Sequence, residues 1–311
     1  MEGILPWVLV DDALLPAERA RVSAFDRGYL HADGVFETMR VRDGVLVDGD
    51  AHLDRLAAGA WALGFAPPAR DALTGRLREL VALNTSAATT ATADPSATGA
   101  RGSTVSDAIL RVTVSAGVLG EAAPAPHVSA FLRAVDARLR TRRRGLALFR
   151  APAPWGVRAE PAPLARHKTL GYAANVAAQR HHAAGARPEF EAAFVDASER
   201  LLEGASTNLF VVTASGIVLT APDDGAILPV VARARALEFL RELRVPFREE
   251  RVPWSELAAA PEVFATSSTL PIAPVVAIEG ELRPVVAGGM VGLLARLFEA
   301  AHAGSAPRRT N

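Results

Sequence analysis

Residues 166–172 read Arg-His-Lys-Thr-Leu-Gly-Tyr, and the alanine-rich run from Tyr172 to Ala184 follows directly, closed by Gly185. That run predicts a helix with a glycine stop, so Lys168 sits in the turn just before a helix. It is the only lysine among 34 basic residues. Arginine can replace lysine in ion pairing and in covering apolar surface, but it cannot lose its proton and attack a carbonyl. A lone lysine in such a turn is therefore a candidate imine-forming nucleophile. Arg166 and His167 immediately before it disfavour the ammonium form and make a free amine easier to reach. The plainer alternative is a surface lysine left over by an arginine-rich composition.

Downstream of the turn, strands are expected at Ala192–Asp196, Leu201–Glu203, Leu209–Val212 and Ile217–Thr220, with Ser215-Gly216 as a hairpin turn. Pro229 suits the first turn of a helix over Val230–Leu243. Ser255 caps a short helix, Val263–Ala265 is a short strand and Val286–Ala301 is an apolar closing helix. Upstream, strands are expected at Leu146–Arg150, Val128–Val135 and Ala108–Val114. Val35–Val41 and Leu46-Val47 form a hairpin around Asp43-Gly44. The hairpin feeds a helix from about Ala51 to Leu63, whose apolar face is Leu53, Leu56, Ala60 and Leu63, with His52 and Arg55 on the other flank. Strands and helices in this mixed order, without strict βαβ alternation, imply an α+β fold.

A chain of 311 residues, half of them hydrophobic, fits about two domains. The division expected is a small N-terminal domain over 1–136, an inter-domain linker at 137–144 and a large C-terminal domain over 145–311 that carries Lys168. Residues 84–106, rich in Ala, Thr, Ser and Gly, are expected as a flexible loop, and the arginine run 138–144 as the solvated linker. Zero cysteines exclude disulfides, a thiol nucleophile and Cys-ligated metal. His181-His182 lack a spaced third ligand, so no metal site is expected. Zero net charge argues against nucleic acid and membrane surfaces as partners. No apolar run reaches the length of a membrane span, and the N-terminus lacks a basic region and cleavage site, so a cytoplasmic location is expected.

An imine-forming amine is most useful when a cofactor supplies the electron sink. Pyridoxal 5'-phosphate asks its protein for a lysine, a partner for the ring nitrogen and an anion cradle. Glu203 is the candidate carboxylate for the ring nitrogen. The hydroxyls of Thr266-Ser267-Ser268-Thr269, the N–H groups at the helix entry Leu228–Ala232 and the guanidinium of Arg55 are candidates for the phosphate. Taken singly, each has an ordinary reading: a turn, a helix-surface charge, a solvated strand end.

Taken in order, the segments are more telling. They are Asp26-Arg27-Gly28 with Asp33-Gly34-Val35-Phe36-Glu37-Thr38, then His52-Leu53-Asp54-Arg55-Leu56, Lys168-Thr169-Leu170-x-Tyr172, Glu203-Gly-Ala-Ser-Thr-Asn-Leu-Phe210, and Thr266-Ser-Ser-Thr269 followed by Ile272-Ala-Pro-Val275. From about Ser23 to Gly280 the chain resembles the class IV aminotransferases. These are the fold-type IV pyridoxal-phosphate enzymes that include branched-chain and D-amino-acid aminotransferases and aminodeoxychorismate lyase.

The resemblance implies a two-domain D-amino-acid aminotransferase-like architecture. It makes Lys168 the Schiff-base lysine and proton shuttle and Glu203 the partner of the pyridine nitrogen. Arg55, Ser268 and the backbone of Val231 and Ala232 would hold the phosphate, with Ser267 nearby and Tyr172 beside the ring hydroxyl. It also implies a homodimer and a substrate pocket lined by Tyr29, His31 and Phe36.

Three departures from the family pattern stand out. Ala32-Asp33-Gly34 replaces Gly-Asp-Gly. Pro229-Val230-Val231-Ala232-Arg233 lacks the usual glycine and threonine, which removes one phosphate hydrogen bond. Val114-Ser115-Ala116-Gly117 lacks an arginine, which leaves the substrate carboxylate without an assigned partner. The function expected is transfer of an amino group from an amino acid or amine to a 2-oxo acid by a ping-pong mechanism. Aminodeoxychorismate lyase is the alternative, and a non-catalytic binding protein of the same fold the remote one.

Overall fold

Asp43 and Gly44 have φ of 49° and 80°, the pair of positive values that a two-residue hairpin turn needs to match strand twist. The turn joins β3 (Gly34–Arg42) to β4 (Val45–Leu46), with Val41 opposite Leu46. The computed structural model describes residues 3–90, 106–121, 125–153, 164–182, 189–283 and 289–304. It divides into two units, one of Met1–Asp136, His167–Gly171 and His302–Asn311, the other of Ala137–Arg166 and Tyr172–Ala301. Lys168 therefore groups with the first unit, although the chain on either side of its segment belongs to the second.

The first unit is an antiparallel sheet in the order β2-β1-β6-β5-β3-β4, built from β1 (Ile4–Val10), β2 (Ala13–Pro16), β5 (Asp107–Ser115) and β6 (His127–Ala134) around the hairpin. Helix α1 (Arg27–His31) precedes β3, and α2 (Gly49–Ala62) and α3 (Arg70–Thr90) pack on one face of the sheet. That face contributes Val35, Met39, Val41, Leu110, Val112 and Leu132, and the helices contribute Leu53, Leu56, Leu77 and Leu80 to the same core. Residues 84–90, expected within a loop, continue α3. Asn84 is buried and its amide bonds both the N–H and the carbonyl of Trp7, each at 3.0 Å. The helix was hidden in the sequence because its C-terminal turns have no apolar repeat. Residues 91–105 lie outside the described residues.

The second unit is a mixed sheet in the order β12-β11-β10-β13-β14-β7-β8-β9, with β15 added beside β14. Its strands are β7 (Leu146–Pro152), β8 (Phe190–Val195), β9 (Leu201–Gly204), β10 (Asn208–Val212), β11 (Val218–Thr220), β12 (Phe247–Glu249), β13 (Glu262–Thr266), β14 (Ala273–Ile278) and β15 (Glu281–Leu282). β7 runs parallel to both β8 and β14. Helices α6 (Val231–Glu242) and α7 (Met290–Gly304) share a core with β10 and β13, where Phe210 and Phe264 stack at 4.8 Å. Helix α5 (Ala173–His182) supplies Ala178 to a second cluster with Ala192, Phe194 and Leu202. Residues 137–144, expected as a solvated linker, form helix α4 (Ala137–Arg144), and Arg142 is buried. Among the described residues no helix is long and apolar enough to cross a membrane.

Two positions beside β3 test the backbone argument. A Cβ on Gly34 would lie 2.6 Å from the Val114 carbonyl oxygen and 2.9 Å from the Ser115 Cα, both backbone atoms. Ala32, where the family has glycine, is left-handed at φ 56°. In urea unfolding, Gly34→Ala is expected to destabilise by about 1–3 kcal/mol and Ala32→Gly to stabilise by up to about 1 kcal/mol.

Candidate active site

In the first unit, alternate residues of β3 face the helices: Val35, Glu37, Met39 and Val41. Glu37 is a charge in an otherwise apolar row and is 0% exposed. Two residues of α2 meet it. Arg55 donates from Nε to Oε1 at 2.6 Å and from Nη2 to Oε2 at 2.8 Å, and His52 Nδ1 lies 2.7 Å from Oε2. The expectation that His52 and Arg55 lie on the flank away from the core is thus corrected, since His52 is 1% exposed and buried with Leu53 and Leu56. Glu37 draws them in. Burial alone would raise its pKa, but the Arg55 charge and the hydrogen bonds from His52 and Arg55 lower it from an ordinary 4.5 to about 2.

Lys168 is half-buried and its segment is fixed on the edge of β3 away from β5, beyond the short β4 pairing. Phe36 N–H donates to the Lys168 carbonyl and Leu170 N–H to the Gly34 carbonyl, both at 2.9 Å, and Val35 and Thr169 form an antiparallel bridge. Its Nζ lies 4.7 Å from the centroid of the Phe36 ring. The guanidinium carbon of Arg111, from β5, lies 3.8 Å from the same centroid. Arg111 was missed by sequence reasoning. The available signal was its place opposite Thr38 in the strand that pairs with β3, a register that no motif reveals. Phe36 is buried, whereas Tyr29 and His31 are exposed at α1.

The second unit gathers the remaining candidates. Glu203 lies one residue before the end of β9, with its Oε2 accepting from Asn208 Nδ2 at 3.1 Å and from Leu228 N–H at 3.0 Å, while Asn208 Oδ1 accepts from Val230 N–H at 3.2 Å. Glu203 is thereby tied to the entry of α6. The turn after it is held by Glu191, also 0% exposed, whose Oε1 accepts from Ser206 N–H at 2.7 Å and Thr207 Oγ1 at 3.1 Å while Arg142 donates to Oε2. A Cβ on Gly204 would lie 2.7 Å from Glu191 Oε1, so glycine is needed there. Tyr172 directs its hydroxyl to the Ala205 carbonyl at 2.9 Å.

Helix α6 begins without a side-chain cap, at Val230 with φ −82° and ψ 150°. Any L-residue adopts these angles, which explains how valine replaces the family's glycine. The start is buried, with Val230 8% and Ala232 4% exposed, and orphan N–H groups at a helix N-terminus are suited to an anion. Asn208 lies opposite Thr266 in the β10–β13 ladder. The hydroxyl turn of Ser267 and Ser268 thus follows from the strand end beside the residue that bonds the α6 entry. Within the turn Ser267 N–H donates to the Leu270 carbonyl at 2.7 Å, and the buried Thr266 Oγ1 has no partner among the described residues.

The second unit therefore brings together hydroxyls, a buried helix entry and a buried carboxylate, a donor set whose chemistry fits a phosphorylated ring with a protonatable nitrogen. Among the described residues no cluster of three metal-ligating side chains exists. The side chains of His181 and His182 lie outside the described residues.

These features belong to a cofactor-dependent group-transfer enzyme. Residues 34–278 match the amino-transferase class IV family, and the chain belongs to it. It is 27% identical to a D-alanine aminotransferase of Bacillus licheniformis over 280 residues, 88% of this chain and 89% of that one. A hypothetical aminotransferase from Mycobacterium tuberculosis in its PLP-bound form superposes with a TM-score of 0.78 at 26% identity, covering 96% of this chain and 100% of that one. The Escherichia coli branched-chain amino acid aminotransferase shares the fold, with a TM-score of 0.80 at 20% identity over 98% and 97% of the two chains. The architecture is that of fold-type IV, and the cofactor is pyridoxal 5'-phosphate.

Glu37 supplies a pH test. A depressed carboxylate pKa contributes stability that is complete above the unfolded-state value of 4.5 and disappears as pH falls toward about 2. Chemical denaturation at a series of pH values is expected to show a steep loss of stability across that window, and Glu37→Gln is expected to flatten it.

Proposed function

We propose that this protein moves an amino group between an amino acid or amine and a 2-oxo acid in two half reactions, with Lys168 as the covalent partner of the cofactor. The observation that carries this reading is the fixed, half-buried Lys168 amine against the Phe36 ring. Pyridoxal phosphate, when bound, supplies the sink for electrons released at the substrate Cα. The Lys168 amine takes up the Cα proton and returns it on the other side of the exchange. Glu203, held by Asn208 and the Leu228 N–H, keeps a proton on the ring nitrogen. Arg55, Ser267, Ser268 and the N–H groups of Val231 and Ala232 hold the phosphate, the last two compensating in part for the missing threonine hydroxyl. Tyr172 steadies the turn after Glu203 through the Ala205 carbonyl.

Arg111 fills the gap left by Ala116. The Arg111 guanidinium lies over the Phe36 ring at 3.8 Å, and a guanidinium edge is the fork that a carboxylate accepts. Arg111 thus binds the substrate carboxylate, with Phe36, Tyr29 and His31 lining the pocket. The hypothetical aminotransferase from Mycobacterium tuberculosis also has an α-ketoglutarate- and PMP-bound form, which supports a 2-oxo acid acceptor. A homodimer is supported by the exposed Val22, Phe25, Tyr29 and Leu119, at 50–76% exposure. Leu119 N–H donates to the Phe25 carbonyl, so the two neighbour one another on an apolar patch suited to a second copy.

The wild-type protein with cofactor is expected to show a visible band that borohydride abolishes and that Lys168→Ala lacks, and to transfer amino groups only when an oxo acid is present. Product formed without an acceptor would point to the lyase, and colourless protein to a binder. Arg111→Gln is expected to raise the KM for the oxo acid by roughly tenfold or more while lowering kcat less. Light scattering is expected to give the mass of two chains, and Phe25→Glu with Leu119→Glu to shift it toward one.

A further inference from the structure

Glu37 presents a physical puzzle. It lies in a row of β3 whose other members, Val35, Met39 and Val41, are core residues. A carboxylate there gives up its water, and replacing a buried ion pair by well-packed apolar residues is commonly neutral or stabilising. Stability of the sheet face therefore does not explain the residue. What the pair does provide is orientation. Glu37 grips the Nε–Nη2 edge of Arg55 with both oxygens, at 2.6 and 2.8 Å, and His52 fixes the carboxylate from a second side at 2.7 Å. A planar guanidinium held along one edge lies in one plane, with the N–H groups of its opposite edge directed away from the carboxylate. The Arg55 side chain is 12% exposed and that of Glu37 0%, so the grip on the carboxylate is a buried one.

We propose that Glu37, supported by His52, is the positioning residue that aims Arg55 at the cofactor's phosphate, so that a carboxylate which never touches the cofactor sets how much the phosphate contributes to binding. This rests on the reading of Arg55 as a phosphate ligand. Arginine has many rotamers to lose, and a side chain fixed before the ligand arrives does not lose that freedom on binding. The carboxylate's charge offsets that of Arg55, so the gain is one of geometry and not of net charge.

The test compares two forms of the vitamin, pyridoxal phosphate and pyridoxal without its phosphate, binding to wild type, Glu37→Gln and Arg55→Gln. Dissociation constants are read from the visible band of lysine-bound cofactor. Glu37→Gln is expected to weaken the phosphorylated form by about tenfold or more and to leave the other within about twofold, as loss of a charge-assisted pair predicts. Arg55→Gln is expected to do the same, and the double variant to add little. Equal weakening of both forms would reveal a structural role and overturn the proposal, as would no effect on either. Should Glu37→Gln fail to fold, His52→Gln is read by the same ratio. If wild type binds neither form through Lys168, the functional reading falls. If it prefers the phosphorylated form and Glu37→Gln leaves that preference intact, only the positioning role falls.

Discussion

A carboxylate taken out of water needs hydrogen-bond donors to replace its hydration, and three carboxylates of this chain are supplied with them, one in the first unit and two in the second. Glu37 and Glu191 are 0% exposed and Glu203 is 6% exposed. Each accepts hydrogen bonds from more than one segment of the chain. Glu37 joins β3 to α2, Glu191 joins β8 to α4 and to the turn at 204–207, and Glu203 joins β9 to β10 and the entry of α6. Removing the donors from any one would leave buried carboxyl oxygens unsatisfied. Each contact therefore specifies one arrangement more sharply than apolar packing would.

These contacts matter for chemistry because they fix directions. Lys168 is held by backbone pairing with β3, which leaves its side chain against Phe36. The turn between Glu203 and Asn208 is held from four sides, by Glu191, by the Ala192 carbonyl accepting from Ala205 N–H, and by Tyr172 and Asn175 on the Ala205 carbonyl. A group that must meet a ring nitrogen or a phosphate gains from being placed before the ligand arrives. The family's usual residues are absent at three points, and the backbone accounts for two of them. Val230 occupies extended angles that need no glycine, and Ala32 takes on left-handed strain at the end of α1.

Much of this was legible in the order of residues. Periodicity located β3, β5, β6, β8, β10, α2 and α6 close to where they lie, because each carries a run of apolar residues at strand or helix spacing. It missed β1, β2, α1 and α3, and the later strands β12, β14 and β15. The C-terminal turns of α3 are Ala, Thr and Ser, whose helix is stabilised by Asn84 bonding to Trp7, a contact 77 residues distant. The arginine run misled in the opposite way. Seven residues rich in charge read as solvated, yet Arg142 reaches Glu191 and the Phe190 carbonyl and is buried.

The amino-acid sequence by itself determined the chemistry: one amine able to attack a carbonyl, a carboxylate in a motif, hydroxyls after a strand, and a family pattern that spans most of the chain. Those follow from residue type and spacing, which are local properties. The tertiary structure alone decided which charge meets which. It turned His52 and Arg55 inward to Glu37, set Arg111 and Lys168 on one aromatic ring, and grouped Lys168 with the first unit. Such pairings depend on strand register and on side chains brought together across tens of residues, and no periodicity in a single segment encodes them.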